Sequence, residues 1–129
     1  MKASGEFTVT LTSLDDDFVA DDGIGSSRRR IEKTFQGDLD AVSRGEMLSV
    51  ITAVKGSAGY VAIEQVKGKL AGRQGSFVLQ HYGTLNRGAE HLKLEVVPDS
   101  ATGELEGLSG FMLIILEKGQ HFYEFDYQL

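Results

Sequence analysis

Apolar and polar residues alternate with a period of two along most of the chain. Phe7, Val9 and Leu11 are interleaved with Glu6, Thr8, Thr10 and Thr12. Phe77 and Leu79 are interleaved with Ser76, Val78 and Gln80, and Leu92, Leu94 and Val96 with His91, Lys93 and Glu95. His121, Tyr123, Phe125 and Tyr127 follow the same rule against Phe122, Glu124, Asp126 and Gln128. This is the pattern of half-buried strands, not of a helix with its repeat of about 3.6. Glycines leave little room for helices, since the longest glycine-free stretch, 6–22, is acidic in its second half. The spacing predicts eight strands, at 5–13, 28–36, 39–51, 58–70, 74–85, 89–97, 104–117 and 120–128. Gly72-Arg73 and Lys118-Gly119 fit two-residue hairpin turns, and Asn86-Arg87-Gly88 a longer one. Sequential hairpins make an antiparallel meander. Strands with one apolar face each either close into a barrel or stack as a sandwich, and closure removes the exposed edges. The expected fold is therefore all-β, an eight-stranded antiparallel meander barrel forming one domain over residues 1–129, with space inside for a small ligand or a filled core.

Composition narrows the classes of function. The chain of 129 residues has 13 basic and 19 acidic side chains, a net charge of -6, and neither Cys nor Trp. A disulfide scaffold, a zinc-thiolate site and a thiol nucleophile are excluded. The acidic balance argues against nucleic acid and against an anionic membrane as partners. The first residues turn polar at once, so no signal peptide is expected. The longest apolar run, from Phe111 to Leu116, is six residues, too short to cross a bilayer core of roughly 30 Å as a helix. A cytoplasmic protein is expected. The segment 14–27 breaks the alternation with Asp15-Asp16-Asp17 and Asp21-Asp22-Gly23, followed by Arg28-Arg29-Arg30. Its spacing does not match an EF-hand, and it reads as a solvated loop whose acids pair with the arginines.

Several stretches resemble a bacterial family of uncharacterised proteins. They are Phe35-Gln36-Gly37-Asp38-Leu39, Ser43-Arg44-Gly45-Glu46-Met47-Leu48, Gly56-Ser57-Ala58-Gly59-Tyr60-Val61-Ala62 and Gly72-Arg73-Gln74-Gly75-Ser76-Phe77. Pro98-Asp99-Ser100-Ala101-Thr102-Gly103-Glu104-Leu105 and the ending Tyr123-Glu124-Phe125-Asp126-Tyr127 belong to the same resemblance, which covers nearly the whole chain. The family is a domain of unknown function, similar in fold to allene oxide cyclase: an eight-stranded, lipocalin-like barrel, often oligomeric. The resemblance implies the barrel rather than the sandwich. It implies no reaction, because fold does not carry chemistry, and no motif here aligns with the cyclase's catalytic residues.

Register brings the candidate chemistry together. With Gly72-Arg73 as the turn, Glu64 faces His81 directly and Tyr60 faces Leu85, on a face otherwise apolar. A carboxylate against an imidazole on such a face suits an acid–base couple or a polar anchor in a pocket, and equally a core ion pair. A three-residue Asn86-Arg87-Gly88 loop sets His81 beside Lys93; a loop longer by one, or a bulge at Gly88, sets it beside Leu94 and keeps the apolar faces together, and is the expected arrangement. A Lys118-Gly119 turn places Leu116 against His121, Ile114 against Tyr123 and Met112 against Phe125, and puts His121 and Tyr123 on the inner face. The outer face of that hairpin then carries Phe111, Leu113, Ile115 and Phe122, with Val61 and Ile63 also pointing outward. A monomer does not expose such a patch, so either this wall is a subunit interface, most simply of a twofold dimer, or the loop around Phe18-Val19 covers it. His81, His121 and Glu64 lack metal-ligand spacing, and no phosphate or dinucleotide motif is present. Neither metal nor cofactor is expected.

Three functions are consistent with the residues. The first is a barrel that binds a small, mostly apolar ligand through Tyr60, Glu64, His81, His121 and Tyr123. The second is a cofactor-independent isomerase or cyclase with Glu64 and His81 as its catalytic acid–base pair. The third is an oligomeric scaffold with a filled barrel. The residues favour the binder, because none of them demands catalysis.

Overall fold

The computed structural model describes residues 1–129. Its strands are β1 (Lys2–Ser13), β2 (Phe18–Val19), β3 (Gly25–Gly37), β4 (Leu39–Ile51), β5 (Ala58–Leu70), β6 (Arg73–Asn86), β7 (Ala89–Val96), β8 (Thr102–Gly103), β9 (Ser109–Glu117) and β10 (Gln120–Gln128). Apart from the two-residue β2 and β8, which only flank β3 and β6, the strands form one closed antiparallel barrel. Each barrel strand pairs with the next in the chain, and β1 closes the ring by lying between β10 and β3. The eight-stranded meander expected from the alternation is the observed fold.

The boundaries differ in several places. β1 and β3 each begin three residues earlier than expected, and the short β2 forms inside the segment 14–27 that read as a loop. Residues 104–108, predicted as strand, form successive turns, with the Leu105 amide bonded to the Thr102 carbonyl and the Leu108 amide to the Leu105 carbonyl. Leu105 and Leu108 are nevertheless buried in the main core. This loop plugs one end of the barrel, and its leucines point inward for that reason rather than from strand pleating.

The three tight turns share one design. Ala71-Gly72, Arg87-Gly88 and Lys118-Gly119 each pair a side-chain residue near φ 50° with a glycine between φ 79° and 90°. Two successive positive φ values make the type I′ turn, whose twist matches that of the strands it joins. The predicted Gly72-Arg73 turn is thus displaced by one residue: the glycine takes the second central position. Arg73 pairs with Leu70, so Glu64 faces Leu79 and Ala62 faces His81, not Glu64 facing His81. The pairing moves by two residues, an even number, and every side chain keeps its face. At the next hairpin His81 does lie beside Leu94, with the turn shortened to Arg87-Gly88. The Lys118-Gly119 hairpin has the expected register throughout.

The barrel is a cup. At the plugged end the interior is filled: Phe77 stacks on Phe125 at 5.8 Å between ring centroids, and Phe35 meets Tyr123 edge-on at 5.5 Å. At the other end, beneath the 14–24 and 52–57 loops and the turns at Gly88 and Gly119, residues on the inward stripes lose their cover. Leu11, Ile51, Leu85 and Leu116 stand 53%, 65%, 39% and 66% exposed. The wall is uneven as well, because β7 and β9 pair only at Leu94–Met112 and Glu95–Phe111.

Candidate functional site

Between the filled half and the open mouth, four neighbouring strands turn polar side chains inward. Lys33 comes from β3, Ser43 from β4, Glu64 from β5 and His81 from β6, all buried. Oε1 of Glu64 accepts from Lys33 Nζ at 3.1 Å and from His81 Nε2 at 2.7 Å, and Oε2 accepts from the Ser43 hydroxyl. The Lys33 ammonium also lies over the rings of Phe7 and Phe35, 4.9 and 5.7 Å from their centroids, where the ring faces attract a cation. No buried side-chain polar atom lacks a partner. Burial alone pushes the Glu64 carboxyl up. The His81 hydrogen bond, the Lys33 charge, the His81 charge and the Ser43 hydroxyl together outweigh it and hold the group at about 2. Glu64 is therefore a locked carboxylate.

A fifth residue joins this cluster to the mouth. Tyr60 is half-buried, and its hydroxyl lies 3.2 Å from His81 Nδ1. Opposite Tyr60 stands Gly83, where an added Cβ would come within 2.3 Å of the tyrosine ring. The missing side chain is what lets the ring lie flat across β6, a pairing of aromatic and glycine known from other curved sheets. Above Tyr60 opens a cleft of about 310 Å³, walled by Met47, Ile51, Leu85 and Leu92 with Glu90 at its edge. Burial first, then the nearby Glu64 and Glu90 charges, push the Tyr60 phenol up to about 12, so it is a neutral hydrogen-bonding group.

The residues singled out from sequence separate into two sets. Tyr60, Glu64 and His81 come together. His121 and Tyr123 do not join them: His121 is half-buried against the Phe7 ring, 5.1 Å between centroids. Tyr123 is buried, and its hydroxyl accepts from the Leu39 amide at 2.9 Å and donates to the Gln36 carbonyl at 2.9 Å, clasping the β3–β4 turn. Its phenol is pushed up mainly by burial. Tyr123 is therefore a structural clasp and not a pocket residue, because its one hydroxyl is spent on backbone groups. Lys33 and Ser43 were missed, although the period of two places Lys33 between Ile31 and Phe35, and Ser43 two residues beyond Ala41, on inward stripes.

The other sequence features have plain placements. Arg28 holds Asp15 at 2.9 Å and Glu46 at 2.9 Å, and Arg29 holds Asp17 at 3.2 Å, so the acidic loop is tied to β3 as expected. That hydrogen bond and charge lower the Asp15 carboxyl and raise the Arg28 guanidinium. On the outer wall Phe111, Leu113 and Ile115 are exposed and Phe122 half-buried. The loop around Phe18-Val19 does not cover them: those two residues pair with Ser26 and Gly25 of β3 and are themselves exposed. No helix is long and apolar enough to cross a membrane.

Comparison with known proteins agrees with this architecture. A crystal structure, at 1.84 Å resolution, of a protein of unknown function from the DUF3224 family of Shewanella oneidensis MR-1 superposes with a TM-score of 0.95. The two are 56% identical, over 100% of this chain and 96% of that one. Among curated proteins none matches. The family model described as "Protein of unknown function (DUF3224)" matches residues 3–127. With all but the first residue of β1 and the last of β10 inside that match, and with them the Lys33–Glu64–His81 cluster, the chain belongs to the DUF3224 family.

Proposed function

We propose that the protein binds a small, mostly apolar molecule in the mouth of its barrel. The observation that carries this reading is the exposure of inward-pointing Leu11, Ile51, Leu85 and Leu116 above an interior that is otherwise filled. Apolar side chains directed into a concavity and left uncovered gain most from a guest that removes them from water. The cleft above Tyr60, about 310 Å³, has the size of a small-ligand site. Native mass spectrometry of protein purified from cells tests this. A discrete small mass, carried at low collision energy and shed at high energy, is the expected result. A bare protein that also fails to bind an apolar fluorophore such as anilinonaphthalene sulfonate sinks the reading.

An isomerase or cyclase of the allene oxide cyclase type, using Glu64 and His81 as acid and base, draws no support from the geometry. The carboxylate already accepts from three donors, and both imidazole nitrogens are engaged. A carboxylate with so low a pKa, already accepting from three donors, is a poor proton carrier near neutrality. Glu64 fits an orienting role, which holds His81 and through it Tyr60.

We also propose that the outer wall of β9 and β10 joins two copies of the chain. Phe111 and Leu113, 52% and 59% exposed, lie beside each other on one face, with only the Lys93 ammonium, 5.4 Å from the Phe111 ring centroid, against them. Sedimentation is expected to give twice the monomer mass. Leu113→Glu is expected to give a monomer with an unchanged far-ultraviolet spectrum. A wild-type chain that sediments as a monomer at micromolar concentration contradicts the interface.

A further inference from the structure

Two cations stand on the inward stripe of β3, and they are in different states. Lys33, deep in the barrel, is locked to Glu64. Arg29, nearer the mouth, is half-buried and lies directly opposite Met47, a wall residue of the cleft. Its guanidinium makes one bond, from Nη2 to Asp17 Oδ2 at 3.2 Å. It carries five N–H donors in a fork that fits a carboxylate with two parallel bonds. The Asp17 carboxylate has no other partner and is exposed. Arg28, on the outward stripe, meanwhile holds Asp15. The segment 15–17 therefore reaches over the rim and sets one carboxylate outside the wall and one inside. The neighbouring inward hydroxyls, Ser27 and Ser49, are bonded to each other. Arg29 is thus the inward-facing cation of the mouth, and a side chain of the protein's own loop stands in front of it.

We propose that Arg29 anchors the head of the guest, that the guest is an apolar chain or ring ending in a carboxylate, and that Asp17 is a tethered stand-in for that carboxylate; this rests on the cleft being a ligand site. The exchange conserves charge at Arg29: one carboxylate leaves for water and another takes its place. The guest's two oxygens meet two N–H groups where Asp17 meets one. Its apolar part covers Met47, Ile51, Leu85 and Leu92, which Asp17 does not. Release of Asp17 costs little, because an ion pair at the surface is worth little. Asp16, Asp21 and Asp22 of the same loop, and Glu90 at the edge of the cleft, weaken every anion alike. They therefore favour a guest that brings apolar surface with its charge over a small free anion.

Titration calorimetry at neutral pH with octanoate, 1-octanol and acetate tests the proposal. Octanoate is expected to bind about tenfold tighter than octanol, the size of one charge-assisted contact made in exchange for a weaker one. Acetate, with the charge and no chain, is expected to bind far more weakly than octanoate. Arg29→Gln is expected to bring octanoate and octanol within about twofold of each other. Asp17→Asn is expected to tighten octanoate about threefold relative to octanol, because a tethered competitor is gone. A substitution that only disturbed the rim would weaken octanoate instead. Octanol binding the wild type as tightly as octanoate overturns the proposal while leaving the cleft a ligand site. So does a preference for octanoate that survives Arg29→Gln, or acetate binding as tightly as octanoate. Octanoate affinity unchanged or lowered in Asp17→Asn overturns the stand-in role of Asp17. If neither eight-carbon probe binds up to its solubility limit, the cleft reading falls, and this proposal with it.

Discussion

Glu64→Gln is expected to destabilise the fold by about 3–5 kcal/mol, the usual cost of removing one partner from a buried ion pair. Lys33 then keeps its charge inside the barrel with only ring faces and a neutral amide for company. Denaturant unfolding measures the loss. The double variant Lys33→Met with Glu64→Gln is expected to recover a substantial part of it, with a coupling of about 1–3 kcal/mol, because no charge is left stranded. A single variant within about 1 kcal/mol of the wild type contradicts the ion-pair account. The same carboxylate sets an acid limit. Its folded value of about 2 lies below the ordinary 4.5, so the unfolded chain takes up the proton first as pH falls. The stabilisation is complete above about pH 4.5 and is lost as pH drops toward 2, a total of about 3 kcal/mol by linkage. Unfolding free energy measured from pH 6 to pH 2 is expected to fall more steeply in the wild type than in Glu64→Gln.

Gly45→Ala is expected to be about as damaging, for a steric reason. Gly45 sits opposite Glu64 on β4, and a Cβ there would lie 2.0 Å from the Ile63 carbonyl oxygen and 2.7 Å from the Glu64 Cα. Those are backbone atoms of the paired strand, so no rotamer change relieves the clash. β4 and β5 have to separate at the residue that anchors the buried cluster. A loss of at least about 3 kcal/mol follows, and a melting temperature lower by roughly 10 °C. Gly59→Ala is the matched control on the same sheet: its nearest neighbours lie at 3.8 and 3.9 Å, ordinary contact, and its stability is expected to stay within about 0.5 kcal/mol of the wild type. Equal melting temperatures for the two alanine variants would remove the close approach of β4 and β5 as a constraint on the barrel.

The fold was legible because one device, the alternation of side chains, repeats on every barrel strand, and because glycine marks every tight turn. Leu105 and Leu108 misled, since buried leucines in a plug and in a strand look alike over a few residues. The Glu64–His81 pair survived a wrong turn assignment for a geometric reason. Displacing the pairing by two exchanges a direct neighbour for a diagonal one on the same face, and a long carboxylate reaches either. Lys33 was hard to single out: among Arg28, Arg29, Arg30 and Glu32 it looks like one more surface charge, yet it falls between Ile31 and Phe35 on the inward stripe, where it is buried while Arg29, on the same stripe nearer the mouth, stays half-buried. Tyr123 and Tyr60 were indistinguishable as inward tyrosines until the β3–β4 turn gave the first its partners. Register assigns a face; which depth along the barrel is wet depends on the loops.

The thin pairing of β7 with β9 gives the cylinder a hinge line. Every other wall is a long zipper, so thermal opening concentrates where only Leu94–Met112 and Glu95–Phe111 hold. Leu92 and Ile114, half-buried on the inward stripes just above those pairs, form the two jambs of that doorway. Were that seam to part, the β9–β10 hairpin would move as one leaf beside the cleft above Tyr60, while the aromatic floor below it is filled. The same leaf bears Phe111 and Leu113 on its outside, so whatever grips that surface also sets how readily the door moves.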